Sequence, residues 1–283
     1  MDFRDRLIAK PGQTLRLSAI DPGDHADLKR HQEGEPLLRQ ALSRITDLQE
    51  RLYAEKEQAL LIVLQGIDAA GKDGVCWHVI TAMNPQGCVV SSFKQPTDIE
   101  RRHDFLWRVH QKVPAHGEVG VFNRSHYEDV LVARVHDLVP KQVWEKRYEA
   151  INRFEHLLVE NRTRVLKFFL YISKEEQLER FAKRLDDKDR QWKISAADYA
   201  ERELWDDYIA AYEAMLSHCS TDHAPWYVIP ANHKWFRNLA VANIVLRTLE
   251  DMKIEPPAPT VDIQAIRQKY HEALVEEERE EGR

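Results

Sequence analysis

The stretch 59–74, ALLIVLQGIDAAGKDG, constrains the fold of this chain more than any other part of the sequence. Its apolar run, residues 60–64, is typical of a buried strand in a parallel sheet. The run leads directly into Gly66 to Lys72 (GIDAAGK), which has the spacing of a phosphate-binding loop. In such a loop the backbone N–H groups surround phosphate oxygens and the lysine reaches the transferable phosphates. The stretch therefore predicts a strand, a phosphate loop and a helix, in that order.

Two acidic residues distinguish this loop from the usual motif. Asp73 stands where the motif has Ser or Thr, whose hydroxyl ligates Mg²⁺, and Asp68 adds an acid inside the loop. The alternative is a strand-to-helix turn that uses glycine only for tight packing. The position between a strand and a helix favours a phosphoryl-transfer site whose metal ion is held in an unusual way.

Composition limits the function classes. A chain of 283 residues suits one large α/β domain or two small ones, and a formal net charge of −6 argues against general nucleic-acid binding. Three scattered cysteines are too few for a disulfide framework or a zinc site. No apolar run has the length of a membrane span, and the first residues lack a signal-peptide core. We therefore expect a cytoplasmic protein without nucleic-acid or membrane partners.

Strand and helix patterns alternate along the chain. The predicted strands are residues 60–64, 88–92, 118–122, 165–172 and 226–229. Such alternation predicts an α/β fold with a parallel five-stranded sheet and helices on both faces. Ligands of these sheets bind beyond the carboxyl ends of the strands. Three polar segments fall there: the loop at Gly66, the segment from Asn123 and the segment from Pro230.

The predicted organisation has three parts. Residues 1–35 form an extended N-terminal arm, 36–255 the main domain and 256–283 an acidic tail. Within the domain we expect a helix from about 72 to 83. A further helix, capped by Ser173 with Glu176, is predicted to have Leu178, Phe181 and Leu185 on its core face.

The segment after the third strand, FNRSHYEDVLVARV, carries several candidate site residues. Asn123 can orient a metal-bound water, and the planar fork of Arg124 suits phosphate oxygens. Glu128 and Asp129 can supply the missing negative charge near a metal ion. An ordinary surface ion pair is the alternative for Arg124. We interpret His126 as a packed or solvated side chain without a catalytic role.

A basic segment follows the fourth strand. Its basic residues are Arg180, Lys183, Arg184, Lys188, Arg190 and Lys193. From spacing alone this segment is either a solvated helix face or a mobile lid that closes over phosphates, at about 180–200. Lys94, Arg101, Arg102, Lys112 and Lys234 are further candidates for a phosphate track.

Six blocks of the sequence resemble the polyphosphate kinase 2 family. They are GIDAAGKDG, SFKQPT, HDFLWRVHQKVP, GVFNRSHYEDVLVARV, RFAKRLDD…WKIS and STDHAPWYVIPANHKW, in the family's order over about 51–252. The resemblance implies a P-loop kinase-like fold similar to thymidylate kinase, with a helical lid. It implies Mg²⁺-dependent phosphoryl transfer between inorganic polyphosphate and AMP or ADP, with ATP as product or substrate. Mn²⁺ is the expected alternative to Mg²⁺, and guanine nucleotides are the expected alternative to AMP and ADP. A homodimer or homotetramer is expected.

The resemblance implies the catalytic residues of this chain, and the loop motif and the chemistry of the side chains add the metal and phosphate contacts. The expected catalytic residues are Asp68, Lys72, Arg124 and Arg184, and the expected metal ligands are Asp68, Glu128 and Asp129. Expected phosphate or nucleotide contacts are Gly66, Ala69, Ala70, Gly71, Asp73, Gly74, Lys94, Asn123, Glu128, Arg134, Lys188 and Lys193.

Two segments of this chain depart from the pattern that is common in the family it resembles. The family's diphosphate-specific enzymes usually have Asp at the end of the third strand, followed by Arg-Ser-Trp-Tyr-Asn. This chain has Asn123 in place of that Asp and Glu128 in place of the final Asn. This pattern resembles the subgroup that accepts both AMP and ADP. Asn232 stands where Asp is more common, which argues against a metal or base role there. An ATP-dependent nucleoside monophosphate kinase and a non-catalytic nucleotide-binding regulator remain alternatives, because both can use the same loop.

Overall fold

A six-stranded sheet forms the centre of the computed structural model, which describes residues 1–281. The strands are β1 (Ile8–Ala9), β2 (Ala59–Gln65), β3 (Cys88–Ser92), β4 (Val119–Asn123), β5 (Thr163–Tyr171) and β6 (Trp226–Pro230). Their order is β1-β6-β5-β2-β4-β3, and β2 to β6 run parallel. The five predicted parallel strands are all present, and the expected count of five is corrected to six.

The additional strand comes from the N-terminal segment. β1 pairs antiparallel with β6, with Ile8 opposite Tyr227 and Ala9 opposite Trp226. A strand of two residues is too short for an alternating pattern, so the sequence gives no signal for it.

Eleven α-helices occur in the described part of the chain. They are α1 (Arg4–Leu7), α2 (His31–Glu55), α3 (Lys72–His78), α4 (Trp107–His110), α5 (Val132–Val135), α6 (Lys141–Glu160), α7 (Lys174–Asp186), α8 (Ala196–Glu203), α9 (Trp205–Cys219), α10 (Lys234–Asp251) and α11 (Ile263–Glu281).

The sheet has a hydrophobic core on each face. Along β2, Leu60, Ile62 and Leu64 point into the core covered by α2, α3 and α10, whereas Leu61 and Val63 point into the core covered by α6 and α9. Since both faces are covered, all seven residues of β2 are buried. This double burial explains the uninterrupted apolar run that marks the strand in the sequence.

The N-terminal segment packs against the domain instead of extending as an arm. Phe3, Leu7 and Leu17 are buried, and the backbone N–H of Phe3 donates to the side-chain oxygen of Asn243 in α10 at 3.1 Å. The apolar residues of this segment are irregularly spaced among polar ones, so the sequence has no periodic pattern that predicts their burial. The boundary predicted at residue 35 stays a prediction.

Two predicted helices differ in detail. The helix expected from 72 to 83 ends at His78, and a separate 3₁₀ turn covers Ile80–Ala82. Ser173 caps α7 as predicted, accepting from the N–H of Glu176, but Leu178 and Leu185 are exposed. The buried side chains are Gln177, Arg180 and Phe181. The predicted core face is confirmed for Phe181 and wrong for Leu178 and Leu185. The buried face of α7 is more polar than expected because it lies on the phosphate loop, whose carbonyl groups need polar partners.

The basic segment and the tail lie at the periphery. A loop with a 3₁₀ turn at Gln191–Lys193 joins α7 to α8, which begins with a capping box of Ser195 and Asp198. In the tail, α11 is almost entirely exposed, and residues 282 and 283 of the predicted tail lie outside the described part. No helix among the described residues is both long and apolar enough to cross a membrane.

Replacing Phe3 with Ala tests whether the N-terminal segment belongs to the core. We expect the free energy of unfolding to fall by about 3 kcal/mol, because a buried aromatic ring leaves a cavity. Tyr270→Ala is the matched control, since Tyr270 is exposed in α11. Urea unfolding measures both; equal stability of Phe3→Ala and the wild type would contradict the packing.

Candidate active site

The phosphate loop connects β2 to α3 and follows a path that needs glycine at two points. A Cβ on Gly66 would lie 2.7 Å from the carbonyl oxygen of Leu170 in β5. Gly71 has a φ of +108°, which L side chains rarely adopt, and it caps the start of α3. Gly66 therefore lies against the sheet, while Gly71 lets the chain turn into the helix.

Lys72 is buried at the start of α3. Its Nζ donates to the carbonyl oxygen of Gly66 at 2.6 Å, within the loop itself. Burial lowers the pKa of the Lys72 ammonium, and the nearby carboxylate of Asp68 works in the opposite direction. A phosphate in the loop would give this desolvated charge a charged partner.

Each unusual acid of the loop bonds to a residue at the end of β4. The side-chain amide of Asn123 donates to Asp73 at 2.8 Å, and Nη2 of Arg124 donates to Asp68 at 2.9 Å. Arg124 has a φ of +61°, a costly backbone conformation for a non-glycine residue. These two contacts join the end of β4 to the phosphate loop.

The two acids after Arg124 point in different directions. Glu128 is half-buried; burial raises the pKa of its carboxyl group, whereas the charges of Arg124 and Lys72 lower it. Asp129 instead forms an ion pair with Arg147 at 3.0 Å. Its carboxylate is engaged by an arginine of α6 and lies outside the cavity wall, and its expected metal role stays a prediction.

Arg180 of α7 ties the loop to the last strand. Its Nη1 donates to the carbonyl oxygens of Ala69 and Ala70, at 2.8 and 3.0 Å, and its Nη2 donates to that of Ala231 at 2.5 Å. Glu176 accepts from its Nε at 2.7 Å. The guanidinium thus holds the loop in place, a role that spacing on a helix cannot reveal.

Arg237 of α10 packs directly on the glycines of the loop. A Cβ on Gly71 would overlap its guanidinium, and one on Gly74 would lie 2.7 Å from its Nη2. Burial, together with the charge of Arg180, lowers the pKa of Arg237 to about 10. Sequence reasoning missed Arg237. The available signal was its position in the first turn of the helix after the last strand, three residues after Lys234.

A main cavity of about 1080 Å³ opens above the loop. Its basic lining residues are Lys72, Lys94, Arg124, Arg180, Lys183, Arg184, Arg190, Lys193, Lys234 and Arg237, and its acidic ones are Asp68, Asp73, Asp198 and Glu201. With ten basic and four acidic side chains in these two lists, the cavity suits a polyanion.

The structure brings most of the expected site residues together. Those in the cavity wall are Asp68, Ala69, Gly71, Lys72, Asp73, Gly74, Lys94, Asn123, Arg124, Arg184 and Lys193. Gly66 and Ala70 are buried within the loop, and Glu128 lies behind the wall. Two expected phosphate contacts lie outside the wall and stay predictions: Arg134 stacks on the ring of Trp144 at 4.8 Å, and Lys188 lies in the loop after α7.

A side groove of about 740 Å³ continues the main cavity past the end of β6. The two share Lys183, Lys234 and His78. His233 and Trp235 line the groove beyond these shared residues. The combined space is therefore longer than the loop alone.

Comparison with known proteins assigns the family. The family model "Polyphosphate kinase 2 (PPK2)" matches residues 28–257. The chain belongs to the polyphosphate kinase 2 family. The match covers the main domain and begins within the segment expected to be an arm.

Relatives of the chain in this family are similar over most of their length. An "AMP/ADP-polyphosphate phosphotransferase" of Meiothermus ruber is 48% identical over 88% of this chain and 94% of its own. An "ADP-polyphosphate phosphotransferase" of Rhodopseudomonas palustris is 47% identical over 79% and 82%. The crystal structure of polyphosphate kinase 2 from Arthrobacter aurescens TC1 has a TM-score of 0.90 at 42% identity, over 94% of this chain and 98% of that one. The fold of this chain is therefore that of polyphosphate kinase 2.

Replacing Gly71 with Ala tests the contact between Arg237 and the loop. The added methyl group overlaps the guanidinium, so we expect pyrophosphate affinity to fall by about tenfold or more. Gly12→Ala is the control, because Gly12 also has a positive φ, +71°, but its Cβ meets nothing within 4 Å. Calorimetric titration gives both affinities; equal affinities of the two variants would contradict the contact's importance.

Proposed function

We propose that this protein transfers a phosphoryl group between inorganic polyphosphate and AMP or ADP. The observation that carries the proposal is the excess of basic side chains in a cavity that continues beyond the phosphate loop. A polyphosphate chain has no base to be recognised and needs a long cationic path. The names of the relatives from Meiothermus ruber and Rhodopseudomonas palustris support the same chemistry.

The side groove supports polyphosphate as the donor. A nucleoside triphosphate carries three phosphates, whereas polyphosphate extends well past the reacting group. Lys183 and Lys234 line both spaces, so cationic side chains continue from the loop into the groove. We propose that the part of the donor behind its terminal phosphate follows this path.

The reaction is a direct in-line transfer. An oxygen of the acceptor's ionised phosphate forms a bond to the terminal phosphorus of polyphosphate, while the bond from that phosphorus to the next bridging oxygen breaks. The shortened chain leaves as an anion. In this proposal Lys72, Arg124 and Arg184 offset the charge on the transferring group, since such transfers depend on positioning and electrostatic stabilisation.

The carboxylate of Asp68 fits a metal-binding role. Kinase Mg²⁺ sites use one or two carboxylates together with substrate phosphates, so a dedicated protein cage is unnecessary. Asp68 lines the cavity beside Lys72, and Glu128 lies behind it. Among residues 1–281, no three His, Cys, Asp or Glu side chains are grouped closely enough to hold a metal ion by themselves. Mg²⁺, with Mn²⁺ as the alternative, would neutralise phosphate charge when bound.

We propose that residues at the end of β4 determine which nucleotide, AMP or ADP, is accepted. Asn123 carries no charge and is bonded to Asp73, so it adds no repulsion toward the phosphate of AMP. This agrees with the expectation of a subgroup that uses both AMP and ADP, with guanine nucleotides as further acceptors. The Meiothermus ruber relative bears that dual name.

Two wider expectations complete the proposal. We propose a homodimer or homotetramer, supported by edge strand β3, where Val89 and Val90 are exposed on an unpaired sheet edge.

We also propose a cytoplasmic location, where the nucleotide acceptors occur and where the three free cysteines would remain reduced.

A donor assay tests the proposed function. Purified protein is incubated with AMP, Mg²⁺ and either polyphosphate or ATP, and the nucleotides are separated by chromatography. We expect ADP and ATP to form from AMP with polyphosphate, and Lys72→Ala to lower kcat/KM by about 10² or more, because a key cationic group is lost. Lys141→Ala, an exposed lysine at the start of α6, is the control.

The alternatives predict other outcomes of the same assay. Turnover with ATP as the only donor would identify an ATP-dependent nucleoside monophosphate kinase and contradict the proposal. Binding of nucleotide without turnover with either donor would identify a non-catalytic regulator.

A further inference from the structure

A buried polar network lies on the side of the sheet opposite α10 and outside the main cavity. Glu155 of α6 and Lys167 of β5 have no exposed surface, and neither do His126 and Tyr127, which follow β4. None of the four lines the cavity, and none has a part in the transfer described above. Four fully buried polar side chains in one place call for a physical reason.

The network satisfies its charges by close hydrogen bonds. The ammonium of Lys167 donates to Glu155 at 2.5 Å, to the carbonyl oxygen of Cys219 at 2.7 Å and to the hydroxyl of Tyr127 at 2.9 Å. The other oxygen of Glu155 accepts from Tyr127 at 2.7 Å and contacts Nε2 of His126 at 3.2 Å. All three ammonium protons therefore have acceptors, and both carboxylate oxygens are engaged.

The network is joined to Arg124 through the backbone. Ser125 lies between Arg124 and His126, and its buried hydroxyl accepts from the N–H of Tyr127 and from the amide of Gln65, both at 3.2 Å. Arg124 itself has the strained φ of +61°, and its N–H donates to the carbonyl oxygen of Leu64 at 3.1 Å. Such a conformation persists only where surrounding structure fixes it. The anchored His126 and Tyr127 supply this constraint on one side, and β2 supplies it on the other.

Stability alone is a weak explanation for this ion pair. An apolar pair of similar volume in a core is often as stable as a buried ion pair or more stable, because the charges must be desolvated. Glu155 and Lys167 do something an apolar pair cannot: they bind the hydroxyl and the imidazole of two adjacent residues at fixed positions.

We propose that Glu155 and Lys167 are positioning residues for phosphoryl transfer, which act by holding His126 and Tyr127 and thereby the backbone of Arg124. The inference rests on the proposed function and adds that the guanidinium reaches its place beside Asp68 only when this network is intact. It assigns Glu155 and Lys167 a role in turnover although neither touches the cavity.

The first test replaces the ion pair by apolar residues. In the Glu155→Leu/Lys167→Met double variant we expect kcat with polyphosphate and AMP to fall by about tenfold to 10²-fold, because small misplacements of a catalytic group have effects of this size. The KM for AMP should stay close to the wild-type value. The melting temperature should fall, because the Tyr127 hydroxyl, the His126 imidazole and the carbonyl oxygen of Cys219 lose buried partners. Tyr127→Phe, which removes only the hydroxyl, should lower kcat in the same direction and serves if the double variant does not fold.

The second test is a double-mutant cycle with Arg124→Ala. If the network acts through Arg124, adding Glu155→Leu and Lys167→Met to the Arg124→Ala variant should cause no further loss of kcat. Ile244→Ala is the control for loss of stability, because Ile244 lies in the core on the opposite face of the sheet. We expect it to lower the melting temperature without changing kcat at 25 °C.

The outcomes separate this inference from the proposed function. Absence of polyphosphate-dependent turnover in the wild type would contradict the function itself. Wild-type kcat in the folded double variant, or in Tyr127→Phe where only that variant folds, would overturn the inference and leave the function standing. The inference would also be overturned if replacing Glu155 and Lys167 lowered kcat by the same factor in the wild type and in the Arg124→Ala variant.

Discussion

An excess of positive charge beside the phosphate loop is the constraint on which the rest of the structure depends. Lys72, Arg180 and Arg237 are buried there, and burial lowers the pKa of all three. Desolvated charges of one sign cost free energy in the unliganded protein. A bound polyanion would compensate that cost, so the same arrangement that weakens the fold prepares the site for phosphate.

The surrounding elements accommodate this charge in distinct ways. Backbone carbonyl oxygens of the loop and of the end of β6 accept from Arg180, and glycine at positions 71 and 74 leaves room for Arg237. The acid Asp68 pairs with Arg124 across the cavity floor. The double-sided sheet makes these contacts possible, because it brings α7, α10 and the end of β4 to one edge of the sheet.

The sequence predicted much of this arrangement, and its failures have physical reasons. The loop, the five parallel strands and the approach of Arg124 to the loop follow from local patterns and from the rule on strand ends. Arg237 was missed because its role depends on contact with glycines more than 160 positions earlier. The surroundings of Asp129 could not be predicted, because consecutive residues in a 3₁₀ turn point in different directions, and only the structure shows its ion pair with Arg147. The packed N-terminal segment has no periodicity to detect.

The thermal stability of an Arg237→Met variant, with and without polyphosphate, tests the central claim most directly. Methionine removes the buried charge and retains an unbranched side chain. The account predicts that the variant without ligand melts at a higher temperature than the wild type, and that polyphosphate raises its melting temperature much less. A lower melting temperature without ligand, combined with an undiminished shift by polyphosphate, would contradict the claim that these charges are held in place for a polyanion.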